Sequence, residues 1–158
     1  EDVIPTSARL VFVGTGPERT CLQQSVARLG LVSRVMFTGH VGEIDKLREI
    51  FSTAVCSVSP GYVGLSAIQS FAFGVPMIVA REEPHSPEIE ACIETQNTIF
   101  VPSDDAAVLG SALNGMFARK DWWVRRRDVI AQAIRERYTI EAMVEVFLKA
   151  INTTYAVE

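Results

Sequence analysis

The chain has 158 residues, 48% of them hydrophobic and 22% charged, with a formal net charge of −4 and an isoelectric point near 5.3. This is enough chain for one domain with a sizeable core, in the ordinary composition of a soluble globular protein. The acidic balance argues against a globally basic nucleic-acid surface, and no apolar run approaches the ~20 residues needed to span a bilayer. Residues 1–8 read as a polar, acidic lead-in with no signal peptide, and a first residue other than Met fits an excised domain. Cys21, Cys56 and Cys92 are an odd set, far apart, with no Cys-x-x-Cys spacing. They read as free thiols in a reducing compartment, not as a disulfide framework or a metal site. With no secretion signal, the sequon Asn152-Thr153-Thr154 is taken as chance.

In chain order, an apolar strand is expected over 9–13, ending at Gly14-Thr15-Gly16-Pro17. Gly-x-Gly after a strand invites a dinucleotide reading. The third glycine is replaced by Arg19, however, and Thr38-Gly39-His40 stands where an acidic residue is required. NAD is therefore rejected, and a strand-to-helix turn with Pro17 near the helix start accounts for the residues. A helix is expected over 18–29, with Leu22, Val26 and Leu29 on one face and Gly30 as its stop. A strand at 34–38 and a helix at 43–52 with Ile44, Leu47 and Phe51 inward follow. His40, in the loop between them, is an ordinary solvated histidine unless a ligand reaches it.

The stretch from Ser57 to Ala80 organises the rest. A short β-prone run at 54–58 reads as a buried strand. Pro60, Gly61 and Gly64 break regular structure, and 65–73 is helix-compatible, with Leu65, Ile68 and Ala72 on one face. Gly74 is the αL stop, Pro76 bars continuation, and 77–80 is the next strand. The loop Gly61-Tyr62-Val63-Gly64-Leu65-Ser66 brings two glycines and free N–H groups to a helix N-terminus, where partial positive charge and unsatisfied donors suit a phosphate. A glycine turn that only packs a helix closely on a sheet reads equally well from these residues.

Beyond Ala80, a proline-rich polar loop carries His85, and Pro87 opens a helical turn with Glu88 and Glu90 in it. Acids at such a position stabilise the helix dipole by about 0.3–1 kcal/mol without any ligand. The loop also follows the carboxyl end of a parallel strand, where open α/β sheets bind ligands. His85 there can hydrogen-bond a sugar or a phosphate. A last strand is expected at 98–101, then a helix capped by Ser103 or Asp104 with Val108, Ala112 and Met116 inward and Leu109 and Leu113 beside them. The arginine-rich 122–138 stretch, interleaved with Asp121, Asp128 and Glu136, reads as a solvated helix with local ion pairs; Trp122 and Trp123 are expected to pack. Thr139 caps a final helix with the apolar stripe Ile140, Met143, Val144, Phe147, Leu148, Ile151. Five strands alternating with helices imply one doubly wound, Rossmann-like domain over 1–158, a parallel sheet between helices in three α/β/α layers.

Several pieces occur together in a telling order: Gly14-Thr15-Gly16-Pro17, Val35-Met36-Phe37-Thr38-Gly39, Ser59-Pro60, Gly61-Tyr62-Val63-Gly64-Leu65, Gln69-Ser70-Phe71-Ala72-Phe73-Gly74-Val75-Pro76 and Pro87-Glu88-Ile89. In this order and spacing the chain resembles the carboxy-terminal, donor-binding half of a GT-B retaining glycosyltransferase of glycosyltransferase family 4. The resemblance implies a nucleotide-diphosphate sugar as donor substrate, no metal or other cofactor, and a glycan or lipid-linked acceptor held by an amino-terminal domain that this chain lacks. It implies a cytoplasmic protein, at the inner face of the membrane where the acceptor demands it, and a role such as polysaccharide biosynthesis.

The same resemblance assigns candidate residues. The 61–66 loop would hold the donor diphosphate, and Gln69 the ribose. Gly14 and Gly16 would face the interdomain cleft. His40 and Val41 would border the base, and Glu88 would approach the cleft or the donor sugar, with His85 beside it on the same loop. Two departures stand out. The family carries glutamates at the positions of Gly61 and Gln69, and its pyrophosphate-neutralising Arg and Lys precede the Gly-x-Gly-Pro turn, before this chain begins. An amide can still bond a ribose hydroxyl; Gly61 has no side chain to offer a sugar. Catalytic groups are thus unassigned. A glycosyltransferase-like binding or regulatory module without activity, and a GT-B sugar-nucleotide epimerase, stand as alternatives.

Overall fold

The computed structural model describes residues 4–155, with side chains as far as Asn152; the first three residues of the expected lead-in lie outside it. The elements run β1 Leu10–Val13, α1 Arg19–Arg28, β2 Val35–Gly39, α2 Ile44–Thr53, β3 Ser57–Ser59, α3 Leu65–Ala72, β4 Met77–Ala80, a 3-10 helix Pro87–Ala91, β5 Thr98–Val101, α4 Ala106–Ala118, α5 Lys120–Arg125, α6 Arg127–Arg137 and α7 Ile140–Tyr155. They fall into two compact units, one ending at Thr53 and one starting at Ala54. The five strands form two parallel sheets, β1-β2 in the first unit and β3-β4-β5 in the second, where a single continuous sheet was expected.

In the first unit, Leu10 pairs with Val35 and Phe12 with Phe37, whose rings stack at 4.9 Å. The register shifts after Phe12, and Gly14 and Gly39, both at positive φ, close the strand ends with a 2.7 Å bond from Gly14 N–H to Gly39 O. Helix α1 stops where expected. Gly30 sits at φ +69, and the N–H groups of Gly30 and Leu31 bond the carbonyls of Ala27 and Val26, a Schellman motif. The expected inner faces are only partly realised. No residue of α1 is buried, and in α2 Leu47 alone is, with Ile44 exposed. A two-stranded sheet offers too little surface to cover two helices.

The second unit holds the core. All four residues of the central strand β4 are buried, and Ile78 and Val79 pack with Phe71, Met116, Trp123, Ile130 and Ile134. The third strand begins at Ser57, not at 54 as expected, because the Ala54 carbonyl accepts from the Arg127 guanidinium and the ladder starts only at Ser57 opposite Met77. Helix α3 is rotated from the expected face. It buries Ala67, Ser70 and Phe71, while Leu65 is 73% exposed. Small residues let it approach closely: the Ser70 hydroxyl bonds the Val75 carbonyl at 2.9 Å and lies 2.6 Å from the Ser57 hydroxyl on β3. Gly74 at φ +72 ends the helix, with Gly74 and Val75 N–H bonded to Phe71 and Ser70 carbonyls.

Asp105, not Ser103 or Asp104, caps α4. Asp104 is in the left-handed region at φ 59, whereas Asp105 is extended and accepts from Ala107 and Val108 N–H. The inner side of α4 is Leu109, Ala112, Leu113 and Met116; Val108 faces outward. The single arginine-rich helix is two, broken at Arg126. Arg119 and Arg126 lie over the Trp122 ring, 4.4 and 4.6 Å from its centroid, and Trp123 is buried. Thr139 caps α7 through its hydroxyl to Ala142 N–H, and the stripe from Ile140 to Leu148 is exposed. Among the described residues no helix is long and apolar enough to cross a membrane.

Candidate functional site

Of the 61–66 loop, four residues precede α3 in the second unit and Leu65 and Ser66 open it. Ser59, the last residue of β3, turns its hydroxyl back on the loop, 3.0 Å from the Tyr62 carbonyl and 3.2 Å from that of Gly61. Val63 is fully buried and held by its backbone from the loop after β4. Its N–H donates to His85 Nδ1 at 3.1 Å, and its carbonyl accepts from both the N–H and the hydroxyl of Ser86 at 3.0 Å each.

Gly64 follows as the N-cap of α3 and brings no capping side chain. A Cβ there would stand 3.2 Å from the Tyr62 ring and 3.6 Å from Ser86 Oγ, so the glycine permits the close approach of both. Among the described residues, the N–H groups of Gly64, Leu65 and Ser66 meet no acceptor. They are the orphan donors of a helix start, at the positive end of its dipole. Leu65, Ser66 and Gln69 are all exposed, and spacings of three and four put them on one side of α3 with Gln69 one turn along. Gly61 is different: a Cβ there would meet nothing within 4 Å.

His85 is tied at both ring nitrogens. Besides accepting from Val63, it places Nε2 2.8 Å from the Ala80 carbonyl, which makes Nε2 the protonated nitrogen. Ser86 also bonds the Glu88 carboxylate, and this bond holds the Glu88 carboxyl below the usual carboxylate range. The structure thus gathers Gly61 to Ser66, His85 and Glu88 around one loop pair, with Gln69 on the adjoining helix face. Ser59 and Ser86 belong to that group and were not foreseen. Sequence assigns no role to Ser59, though it stands in the Ser59-Pro60 piece, or to Ser86; the carbonyls of Gly61, Tyr62 and Val63 that they face give them one.

Gly14, Gly16, His40 and Val41 belong to the first unit. There a cavity of about 330 Å³ opens beside the glycine turn, lined by Gly14, Gly16, Arg19, Phe12, Phe37 and Leu22. Arg19, unforeseen as a site residue, donates to the Phe37 carbonyl at 3.3 Å with its guanidinium carbon 5.7 Å from the Phe37 ring centroid. His40 is exposed and, like Val41, is not part of that lining. A larger open depression of about 580 Å³ lies on α6 against Asp128, Gln132 and Arg135, and none of the loop residues named lines it. Among the described residues no group of three or more His, Cys, Asp or Glu converges as a metal site. Burial pushes the Cys56 thiol up to about 12 and raises that of Cys92, so both are held as inert thiols.

Comparison with known proteins gives these features a family. Residues 2–119 match the model of the glycosyl transferases group 1 family. A GDP-mannose-dependent alpha-(1-6)-phosphatidylinositol dimannoside mannosyltransferase of Mycobacterium tuberculosis is 32% identical over 77 residues, 47% of this chain and 19% of that protein. Among solved structures, sucrose-phosphate synthase of Thermosynechococcus elongatus superposes over 95% of this chain and 39% of its own, with TM-score 0.76 and 23% identity. HepE of Anabaena, solved in complex with UDP, covers 94% of this chain and 42% of its own, with TM-score 0.73 and 18% identity. The chain thus spans about a fifth of the curated relative and about two fifths of these structures. It belongs to the glycosyl transferases group 1 family, and its fold is the Rossmann-like α/β arrangement of GT-B glycosyltransferases.

Proposed function

We propose that this chain is the nucleotide-sugar-binding domain of a glycosyltransferase that moves a sugar, with retention of configuration, from a nucleotide-diphosphate donor to a glycan or lipid-linked acceptor. The observation that carries the reading is the set of unpartnered N–H groups at Gly64, Leu65 and Ser66, on a loop whose preceding residue is fixed at both backbone atoms. As the glycosidic bond breaks, charge grows on the leaving diphosphate. Donors already aimed and needing no reorganisation stabilise that charge more than they stabilise the bound substrate. Gln69 holds the ribose through its amide. Glu88 lies towards the donor sugar, and Gly61 leaves the sugar to backbone groups. Gly14, Gly16, His40 and Val41 serve the cleft and the base. No metal takes part, and the acceptor is bound by the rest of the protein, in the cytoplasm or at the inner membrane face.

The test is a titration of the 15N-labelled chain with UDP, GDP and ADP. The mannosyltransferase relative is named for GDP-mannose, and HepE was solved with UDP, so the panel must include both bases. One diphosphate is expected to shift the amides of Gly61 to Gln69, and Gln69→Ala to weaken it. No shift with any of them at millimolar concentration, in this chain and then in the full-length protein that carries the preceding Arg and Lys, refutes the reading. A second reading, a binding module without transfer activity, is favoured by one observation: neither Gly61 nor Gln69 supplies a carboxylate. Transfer by the full-length protein that Gln69→Ala abolishes rules it out.

A further inference from the structure

We infer that His85 is a positioning residue for the diphosphate: its imidazole, as a neutral acceptor at Nδ1, sets the backbone of Val63 and thereby aims the N–H groups of Gly64, Leu65 and Ser66. The inference rests on the diphosphate-binding reading above and changes the part His85 plays in it. From sequence, His85 is a side chain free to reach a sugar or phosphate. In the structure both of its nitrogens are committed inside the protein, one to Val63 N–H at 3.1 Å and the other to the Ala80 carbonyl at 2.8 Å. Nothing remains on the ring to donate to a ligand.

The arrangement links the end of a strand to the start of a helix. Ala80 is the last residue of β4, at the centre of the second unit's sheet, and is buried. Val63 lies one residue before the N-cap of α3. The ring spans them rigidly, so the phosphate loop is referenced to the most deeply packed strand of the unit. Ser86 completes the hold on the Val63 carbonyl with its N–H, leaving its hydroxyl proton to be shared between that carbonyl and Glu88. A loop containing Gly61 and Gly64 has little stiffness of its own at those positions. Without the clamp, ordering its donors would be charged against binding each time a ligand arrived.

Two amide replacements separate the two ends of the ring. Asparagine presents its side-chain oxygen at the covalent distance of Nδ1, and glutamine its amide at the distance of Nε2. His85→Asn therefore keeps an acceptor for Val63, and His85→Gln keeps only the tie to Ala80. Binding of UDP, GDP and ADP to the wild-type chain and the variants is measured by NMR titration, with exchange of the Val63 amide hydrogen followed in parallel. For the diphosphate that binds, His85→Ala and His85→Gln are expected to weaken affinity about five- to tenfold and to speed Val63 exchange, with His85→Asn close to wild type on both counts. Equal affinity of wild type and His85→Ala overturns the inference while leaving the diphosphate reading intact, as does rescue by glutamine and not asparagine. If neither the wild-type chain nor the full-length protein binds any of the three, the diphosphate reading itself fails and the role of His85 with it. Should His85→Ala not fold, 15N shifts of the wild-type imidazole decide: an unprotonated Nδ1 supports the clamp, and a protonated Nδ1 refutes it.

Discussion

Replacing Gly74 by alanine tests how α3 is held. The residue has φ +72, and a Cβ built on it would stand 2.5 Å from the Arg127 carbonyl oxygen, 2.8 Å from Arg127 Cβ and 2.9 Å from its carbonyl carbon. Two costs add. A non-glycine residue in the left-handed region loses about 1–2 kcal/mol. The clash is with backbone at the start of α6, which cannot rotate away, and forcing packed elements apart costs about 1–3 kcal/mol more. The expected loss is about 2–5 kcal/mol. Gly30 supplies the control. It ends α1 in the same motif at φ +69, but a Cβ there would meet nothing within 4 Å, so Gly30→Ala should cost only the first part. Urea denaturation followed by amide peaks reads each unit separately. If Gly74→Ala costs no more than Gly30→Ala, the α3–α6 contact is not the tight one described and the argument is refuted.

Three further outcomes follow from the geometry. Gly61→Glu should fold with a stability change within about 0.5 kcal/mol, since a side chain there enters open space at an ordinary φ; a loss of more than about 2 kcal/mol by urea titration would contradict that. Cys56 should resist alkylation in the folded protein while exposed Cys21 reacts. Its thiol titrates from an ordinary 9.0 up to about 12 in the fold, so only the unfolded chain ionises between those values, and stability should fall as pH rises through that window. Ser86→Ala removes the hydroxyl that holds the Glu88 carboxyl low, so the Glu88 titration midpoint followed by 13C NMR should rise; an unchanged midpoint would mean that bond does not persist in solution.

What could be read in the sequence was whatever local chemistry decides alone. The strands at 77–80 and 98–101 are found with those limits, because uninterrupted apolar runs bounded by Pro76 and Pro102 have no other use in a parallel sheet. Gly30 and Gly74 stop their helices because only glycine enters the left-handed region without cost. Side-chain size misled where packing decided. Of the expected stripe Leu65, Ile68 and Ala72, Ile68 alone packs against the core; α3 buries Ala67, Ser70 and Phe71, and Ser70 is kept inside by bonds to Ser57 and Val75 that no periodicity reveals. The cap of α4 depended on which of two adjacent aspartates takes the left-handed turn. At the site, the glycines and the helix start were legible, but Ser59, Ser86 and the inward commitment of His85 were not, since each is defined by a carbonyl or N–H some distance away in the chain.

The site residues therefore divide by what constrains them. Val63, Gly64, His85 and Ser86 are locked to one another: a buried side chain, a Cβ position with neighbours at 3.2 and 3.6 Å, and backbone bonds on both sides. A side chain at 61 and that of Gln69 are held by nothing, one position facing open space and the other exposed on α3. Packing thus accounts for the first set whether or not a ligand exists, and it accounts for neither member of the second. A glutamate at 61 would fit without disturbing the fold, so its absence is a matter of chemistry. The pair Gly61→Glu and Gln69→Glu is consequently the cleanest way to ask what these positions do. Neither change should alter stability beyond about 0.5 kcal/mol. Any change in diphosphate affinity or in transfer by the full-length protein would then report the site alone. If the double variant unfolds, or if amide shifts spread through the β3-β4-β5 sheet, the separation of a packed clamp from an open ligand face is wrong.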